Sequence, residues 1–380
     1  MPALIEPELK PWTPAQETET DLDWAPLITI DFAKWDTPGG KQALAHELAA
    51  AVHDTGFWVI INPGITQEAM DQQFSLANTF FHLPEEQKNE VQFVPGVACH
   101  GYRPPGFVRN TSHRENLEIL NLHKFTPSVN IERHTFMKLH EAEFADFQKL
   151  VFDAVITKIF ILLAIILELP ENHFSDMHGF EKESDDHLRF IKYKPRTLEE
   201  DQAVNNQWLA GHTGEIPPET SDNKVLMIFP DFGSITLLFP QPIAGLQVQT
   251  AENEWKWVKY VKGGIVCNIA DLMSLMTKGY LKSAVHRVVR PPPDQAHLER
   301  LGMFFFVRPA NEVIIKPSSS PVLQREGLWT QEDENCSDED ATTCGEFVQA
   351  RMQKFDLSRT PQAKENQVVR VKKWEVLNKY

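Results

Sequence analysis

The sequence predicts a mainly β fold with flanking helices, in which a helical N-terminal region precedes a sandwich or barrel of strands. Seven short runs rich in β-branched and aromatic residues follow one another between residues 188 and 307. Gly and Pro separate these runs, and no helical period lies between them. Apolar residues at helical spacing recur instead before residue 170. Strands without intervening helices indicate stacked or closed sheets rather than a parallel α/β sheet.

The first half of the chain divides into three predicted regions. Residues 1–25 are rich in Pro, Glu and Thr and predict a disordered lead-in. Residues 26–150 alternate between strand and helix patterns, with a buried strand at 57–61 and helices at 40–52 and 67–81. A long helix predicted over 139–169 dominates the next region, 151–180, which links to the core.

The second half holds the predicted core, residues 181–310, and a C-terminal tail, residues 311–380, which is partly helical around 346–355. An atypical insertion at 214–230 interrupts the core. The predicted core strands are 188–193, 234–239, 246–250, 255–261, 264–269, 281–289 and 300–307.

Composition narrows the function classes. Lys plus Arg is 37 against 53 Asp plus Glu, a net charge of −16, which argues against nucleic acid or an anionic membrane as the partner. The most apolar stretch, 159–167, is too short to cross a bilayer and predicts a buried helix.

Four cysteines without a Cys-x-x-Cys pair indicate free thiols in a reducing compartment. We therefore expect a cytoplasmic monomer that acts on a small-molecule substrate.

A metal-binding pair stands on either side of the insertion. Without residues 214–230 the text would read Gly-His212-Thr213-Asp231-Phe-Gly-Ser-Ile-Thr. Strand side chains repeat every two residues, so His-x-Asp directs an imidazole and a carboxylate to one point. His286 supplies a third ligand, and two histidines with one carboxylate suit Fe(II) with three open positions. Arg300 lies on an otherwise apolar strand and needs an anion, such as the far end of a dicarboxylate.

Several motifs together resemble one family, the iron(II)/2-oxoglutarate-dependent oxygenases of the isopenicillin N synthase-like group. They run in order from residue 26 to 310: Pro-Leu-Ile-Thr-Ile-Asp-Phe, Thr-Gly-Phe-Trp-Val-Ile-Ile-Asn-Pro-Gly-Ile, Phe-Phe-x-Leu-Pro-x-Glu-x-Lys, His-Gly-Tyr, Gly-His-Thr…Asp-Phe-Gly-Ser-Ile-Thr-Leu-Leu and Ala-Val-His-Arg-Val. The similarity is to microbial, fungal-type members that act on small metabolites.

The resemblance implies a double-stranded β-helix (jelly-roll) core. It also implies His212, Asp231 and His286 as iron ligands, Arg300 on the distal carboxylate of 2-oxoglutarate, and Tyr193 near the co-substrate. The implied cofactors are Fe(2+), 2-oxoglutarate and O₂, with ascorbate as an accessory reductant. The implied activity is hydroxylation, desaturation or rearrangement of a small organic metabolite, in secondary metabolism.

The chain departs from the family at two positions near the co-substrate. The hydroxyl residue that the family has two places after the arginine is Gly302 here, and its frequent Asn before the tyrosine is Ile191. One lost hydrogen bond would cost on the order of 1 kcal/mol.

The insertion allows three interpretations. In the first, it is a surface loop that leaves Asp231 beside His212, since the entropic cost of closing a loop grows slowly with its length. In the second, it is a translated intron, because its removal restores the sequence motif of the family. In the third, Gly214 replaces the carboxylate ligand and a halide binds iron in its place. Two other functions therefore stay open: a catalytically inactive jelly-roll protein, and an iron oxidase of this fold that does not use 2-oxoglutarate. Asp185-Asp186-His187, after a charged run, is interpreted as a solvated turn rather than a metal cluster.

Overall fold

The computed structural model describes residues 7–94, 99–108, 112–204, 207–209, 212–213, 231, 233–250, 252–283, 285–334, 342–357, 368–371 and 374–377. Its strands are β1 Ile28–Asp31, β2 Phe57–Ile61, β3 Gly101–Arg103, β4 Leu117–His123, β5 His187–Tyr193, β6 Gln207–Leu209, β7 His212–Thr213, β8 Ile235–Phe239, β9 Leu246–Gln249, β10 Trp255–Trp257, β11 Ile265–Ile269, β12 His286–Val288, β13 Arg300–Val307, β14 Ile314–Ile315, β15 Thr342–Thr343, β16 Val368–Val371 and β17 Trp374–Leu377.

The helices lie mostly before the core. They are Gly40–Asp54, Gln67–Phe81, Glu85–Lys88, Thr135–Leu139, Glu141–Val151, Thr157–Ile166, His173–Met177, Leu198–Ala203, Asp271–Met276, Pro321–Arg325, Gln331–Glu334 and Cys344–Leu357, with a 3-10 turn at Phe32–Lys34 and a π turn at Phe152–Ile156.

Two sheets form the core. The main sheet has eight strands in the order β1-β2-β11-β8-β13-β5-β4-β3, and a small sheet has the order β10-β9-β12. Leu246 and Val248 of β9 pack with Leu238 and Val266 of the main sheet, so the two sheets lie face to face. This arrangement confirms the prediction of a mainly β core without a parallel α/β sheet.

The main sheet separates its two faces by the two-residue period of its strands. On β13, Leu301, Met303, Phe305 and Val307 join the large core under the helices, which also contains Leu48, Phe147 and Phe160. The alternate residues of β13, beginning with Arg300, lie on the opposite face, which we call the site face because it is turned toward the small sheet. A strand covered on both sides explains the continuous Phe-Phe-Phe run at 304–306.

One long helical segment packs behind the main sheet. It runs through Glu141–Val151, the π turn Phe152–Ile156 and Thr157–Ile166, close to the predicted range of 139–169. Ile159, Leu162 and Leu163 are fully buried, which confirms the prediction that the apolar stretch 159–167 is a buried helix. Within the described ranges, the helices are too short or too polar to span a bilayer.

Residues 7–25 correct the prediction of a disordered lead-in. The Trp12 ring stacks on Phe74 with ring centroids 4.4 Å apart. The backbone N–H of Lys10 donates to Thr79 Oγ1 at 2.8 Å, and Thr18 Oγ1 donates to Asp294 at 2.8 Å. These side-chain contacts hold an extended segment that has no regular secondary structure, which composition alone does not predict. Residues 1–6 lie outside the described part of the chain.

The tail packs onto the core. Its helix spans Cys344–Leu357 and contains the predicted 346–355. Phe347 and Val348 are buried in the main core, together with Leu323 and Ile315 from the preceding segment. The insertion at 214–230 lies outside the described residues, so the three interpretations of it stay open.

A buried histidine predicts an acid-sensitive fold. His178 donates from Nδ1 to the carbonyl of Phe174 at 2.6 Å, Ser234 Oγ lies 2.7 Å from its Nε2, and its ring stacks on Phe160. Burial lowers the pKa of His178 to about 3. Because the unfolded chain binds this proton from a pH of about 6.5 downward while the folded chain does not, stability is lost as pH falls from about 6.5 toward 3.

We expect His178→Gln to remove up to about 1.4 kcal/mol per pH unit from the acid dependence of the free energy of unfolding. Urea denaturation at pH 7, 5 and 4 measures that slope. His46→Gln, at an exposed position, is the matched control and should leave the slope unchanged. Equal slopes in wild type and His178→Gln would contradict the prediction.

Candidate metal and co-substrate site

Polar side chains cross the site face in register. Arg300 lies opposite Tyr193, Phe304 opposite Arg189, and Phe306 opposite His187. On the other side of β13, Phe306 lies opposite Thr236, which is in turn paired with Asn268 of β11. Because registered residues share a face, arginines, a tyrosine, a histidine and amides line one surface between the two sheets.

Asp231 lies just before β8 at the edge of the site face. Its carbonyl accepts a hydrogen bond from the N–H of Asp271 at 2.8 Å, which fixes the backbone. Its Oδ2 accepts from Asn268 Nδ2 at 3.2 Å. Asn268 is buried on β11, so the Asp231 carboxylate is held against the site face.

His286 approaches the same corner from the small sheet. It begins β12 and lies opposite Val248 of β9. Its ring meets the Phe57 ring edge to face, with centroids 5.5 Å apart. Phe57 is the registered partner of Asn268, which bonds Asp231. Asp231 and His286 therefore contact neighbouring residues, and the structure brings these two candidate ligands to one corner.

His212 is described in its backbone only. It begins the two-residue strand β7, where it is the registered partner of Leu209 in β6, and β7 lies beside β12, the strand of His286. Its side chain lies outside the description, as does the insertion that follows. The three-ligand assignment of His212, Asp231 and His286 stays a prediction.

Arg300 is a buried cation, two of whose nitrogen donors have no hydrogen-bond acceptor in the described residues. Its guanidinium carbon lies 5.4 Å from the centre of the Tyr193 ring, and both residues are almost fully buried. Within the described part of the chain, Arg300 Nε and Nη1 have no hydrogen-bond partner. Burial lowers the pKa of Arg300. A carboxylate satisfies both charge and donors, so these residues fit the far end of 2-oxoglutarate.

Two glycines, Gly245 and Gly302, lie near this guanidinium. A Cβ added at Gly245 would lie 3.0 Å from Arg300 Nε. A Cβ added at Gly302 would lie 2.8 Å from Cε2 of Phe304, whose ring therefore fills the space of the family's hydroxyl residue. The second departure, Ile191, packs in an apolar cluster with Leu117, Ile119, Tyr193 and Val288.

The position of Phe304 predicts how Gly302 can be changed. We expect Gly302→Ser combined with Phe304→Leu to tighten 2-oxoglutarate binding about fivefold, the value of one added hydrogen bond of about 1 kcal/mol. Gly302→Ser alone should gain less, because the Phe304 ring must first move. Titration of 2-oxoglutarate with Phe304→Leu as the control measures the difference. An equal gain in the single and double variants would mean that Phe304 does not block the position.

A second group of possible metal ligands lies elsewhere on the site face. One ligand atom from each of His123, Asp185 and His187 falls within 4.8 Å of the others. However, Arg308 forms an ion pair with Asp185, and Arg189 Nη2 lies 3.3 Å from His187 Nε2. Two guanidinium groups therefore already lie beside these ligand atoms, which disfavours a bound cation.

This group corrects the interpretation of Asp185-Asp186-His187 as a solvated turn. Asp186 and His187 are fully buried, and Asp185 is half-buried. Asp186 faces Lys124 at 3.3 Å and accepts from the N–H of Arg308 at 2.6 Å. The charged run before it indicated solvent, but these buried cations, distant in sequence, draw the carboxylates inward.

The fold and site define a class of protein. Two face-to-face sheets carry a carboxylate and a histidine at one corner, and on the same surface a buried arginine whose Nε and Nη1 have no hydrogen-bond partner in the described residues. Jelly-roll oxygenases with a non-haem metal centre have these features, with a second histidine as the third metal ligand.

Comparison with known proteins identifies the family. Residues 27–141 match the family described as "non-haem dioxygenase in morphine synthesis N-terminal", and residues 199–309 match the "2OG-Fe(II) oxygenase superfamily". The chain belongs to the 2-oxoglutarate/Fe(II) oxygenase superfamily and is a 2-oxoglutarate- and Fe(II)-dependent dioxygenase. The family's cofactors are Fe(2+), 2-oxoglutarate and O₂.

Relatives match most of the chain. UPF0676 protein C1494.01 of Schizosaccharomyces pombe is 27% identical over 332 residues, which cover 85% of this chain and 90% of the relative. Homoarginine-6-hydroxylase 2-ODD-C23.1 of Arabidopsis thaliana is 21% identical over 326 residues, 78% and 88% of the two chains. The crystal structure of a full-length Neurospora crassa protein in complex with alpha-KG and thymine is 22% identical, with a TM-score of 0.68 and coverage of 87% and 97%. This structural likeness confirms the predicted jelly-roll fold.

Proposed function

We propose that this dioxygenase oxidises a small organic metabolite in secondary metabolism, with iron held by His212, Asp231 and His286. Arg300, beside Tyr193, would bind the distal carboxylate of 2-oxoglutarate. The observation that carries the proposal is the buried Arg300 guanidinium, whose Nε and Nη1 have no partner in the described residues, on the face to which Asp231 and His286 are brought.

The residues around the site have distinct supporting roles. When bound, iron would activate O₂, the oxidant, which takes two electrons from 2-oxoglutarate as it becomes succinate and CO₂ and two from the substrate. Asn268 orients the Asp231 carboxylate through its amide, and the Phe57 ring limits rotation of His286. The apolar cluster of Leu117, Ile119, Ile191 and Val288 excludes water around Tyr193 and strengthens the Arg300 interaction.

The test is anaerobic Fe(II) binding in the presence of 2-oxoglutarate, followed by the metal-to-ligand absorption band. It is made on the full chain and on a version that lacks residues 214–230. Binding by both chains would support the site and make the insertion a tolerated loop. Binding by the shortened chain alone would mean that the insertion inactivates the site. Absence of the band in both would overturn the proposal.

Succinate release under O₂ tests the use of the co-substrate. Substrate oxidation with one succinate per turnover supports the proposal. Oxidation without succinate would instead indicate an iron oxidase of the same fold, an alternative that Gly302 and Ile191 favour because neither side chain offers a hydrogen bond to 2-oxoglutarate.

A further inference from the structure

A second arginine, Arg189, lies on the site face four residues before Tyr193 on β5, opposite Phe304. Its Nε donates to Asn121 Oδ1 at 2.7 Å, its Nη2 lies 3.3 Å from His187 Nε2, and its guanidinium stacks 4.6 Å from the centre of the Phe306 ring. These contacts use Nε and Nη2, and the residue as a whole is half-buried. The guanidinium is thus fixed on the side of Asn121 and His187, and Nη1 is the donor group that these contacts do not use.

His187 fixes the orientation of that guanidinium. The Nδ1 of His187 donates to the carbonyl of Asp185 at 2.8 Å, so its Nε2 presents a lone pair to Arg189. Burial and the nearby Arg189 charge hold the pKa of His187 well below its usual value. A neutral imidazole and a neutral amide, from His187 and Asn121, therefore hold Arg189 in place without balancing its charge.

Several other arginines have a carboxylate that balances their charge, and Arg189 has none among the described residues. Arg103, Arg308 and Arg351 each have a carboxylate partner, in Glu115, Asp185 and Asp271. Arg189 has no carboxylate within ion-pair distance in the described part of the chain, although it is only partly accessible. Burial lowers the pKa of Arg189 and the nearby charge of Asp231 partly offsets this, but in the proposed function Asp231 is an iron ligand. An anion bound at this half-buried guanidinium would form a charge-assisted pair that is stronger than the same pair in open solvent.

The strand separates this anion from 2-oxoglutarate. Arg300 is the partner of Tyr193, and Arg189 lies four residues before Tyr193 on β5, a backbone spacing of about 13–14 Å at roughly 3.4 Å per residue. The two guanidinium groups thus lie at separate places on one surface, one beside Tyr193 and one beside Phe306. Phe304 and Phe306 lie between and beside them; the two rings stack on each other, and both residues are partly accessible.

We propose that Arg189 binds a carboxylate of the organic substrate, so that the substrates are small organic acids whose aromatic or apolar body packs on Phe304 and Phe306. The inference rests on the proposed function and names its substrate class. Asn121 and His187 are positioning residues, since they orient the guanidinium through the contacts above.

The experiment compares matched pairs of probes on the anaerobic enzyme with Fe(II) and 2-oxoglutarate bound. Benzoate, phenylacetate, 3-phenylpropanoate and hexanoate are each titrated beside the primary amide of the same skeleton. Binding is read from the change in the metal-to-ligand band and from calorimetry. The variants are Arg189→Gln and Arg189→Lys, with Arg114→Gln as the control, because Arg114 is an exposed arginine that also stacks on a phenylalanine, Phe107.

We expect at least one acid to bind the wild type at least about tenfold more tightly than its amide. Arg189→Gln should weaken that acid about 100-fold and Arg189→Lys about tenfold, since lysine keeps the charge but not the fork. The amide affinity, the Fe(II)-2-oxoglutarate band and the Arg114→Gln control should not change. If Arg189→Gln does not fold, Arg189→Lys decides.

Acids that bind no better than their amides, or acid affinities that survive both changes at Arg189, would overturn the inference while the band shows the proposed function intact. A wild type without the band would instead overturn the proposed function itself, and the inference with it.

Discussion

We expect Asp231→Asn to weaken Fe(II) binding about 100- to 1,000-fold, and His286→Ala to do the same. A structural Zn²⁺ site with four protein ligands binds with about 10–16 kcal/mol, so one ligand contributes about 2.5–4 kcal/mol, and a similar share is expected here. Asparagine is the replacement at position 231 because it can keep the backbone hydrogen bond to Asp271 and the side-chain contact with Asn268. Anaerobic Fe(II) titration, read by metal analysis after gel filtration, measures the loss.

The matched control for this prediction is Asp185→Asn. Asp185 belongs to the group with His123 and His187, which also has ligand atoms close together. Because Arg308 pairs with Asp185, we expect Asp185→Asn to reduce stability but to leave Fe(II) affinity within about threefold, since that carboxylate already has its cation. The reverse pattern, with iron lost in Asp185→Asn and kept in Asp231→Asn, would move the iron site to that second group.

Much of the core could be predicted from the sequence because its strands carry local signals. The β13 prediction, 300–307, matches Arg300–Val307, and the β5 prediction, 188–193, differs from His187–Tyr193 by one residue. Two predicted strands are longer than the observed ones. Among the described residues of 281–289 only His286–Val288 form a strand, and in 255–261 only Trp255–Trp257 do. Apolar alternation continues there after pairing has ended, so the pattern overestimates strand length.

The parts that escaped prediction depend on contacts distant in sequence. Trp12 has no local partner, and its stacking on Phe74 becomes visible only when the chain folds. Asp186 is acidic in a charged run but meets the buried Lys124. Arg189 carried a signal that could have been used, since it is a charged residue in the middle of an apolar strand, as Arg300 is. The same reasoning about buried cations applies to both arginines.

We expect Arg300→Ala to raise the 2-oxoglutarate concentration needed for half-saturation by at least about 100-fold and to leave Fe(II) binding without co-substrate unchanged. Truncating one partner of a buried, hydrogen-bonded charge pair costs about 2–5 kcal/mol, which is about 30- to 5,000-fold. Arg300→Lys should recover part of this loss, because the ammonium keeps the charge but cannot offer two parallel donors. Titration of 2-oxoglutarate against the absorption band of the anaerobic Fe(II) enzyme gives the affinity directly.

The expected selectivity of this loss follows from where Arg300 lies. Its guanidinium lies against the Tyr193 ring and beside Gly245. The candidate iron ligands have other neighbours: Asn268 contacts Asp231, and Phe57 contacts His286. Truncation should therefore separate co-substrate binding from metal binding. Arg300 is a buried cation with no carboxylate partner among the described residues, so its removal should also stabilise the fold of the enzyme without co-substrate, and the thermal midpoint should rise or stay level. A 2-oxoglutarate affinity unchanged by Arg300→Ala, with Fe(II) still bound, would assign the co-substrate carboxylate to another group, and a fall in the midpoint would give Arg300 a structural role instead.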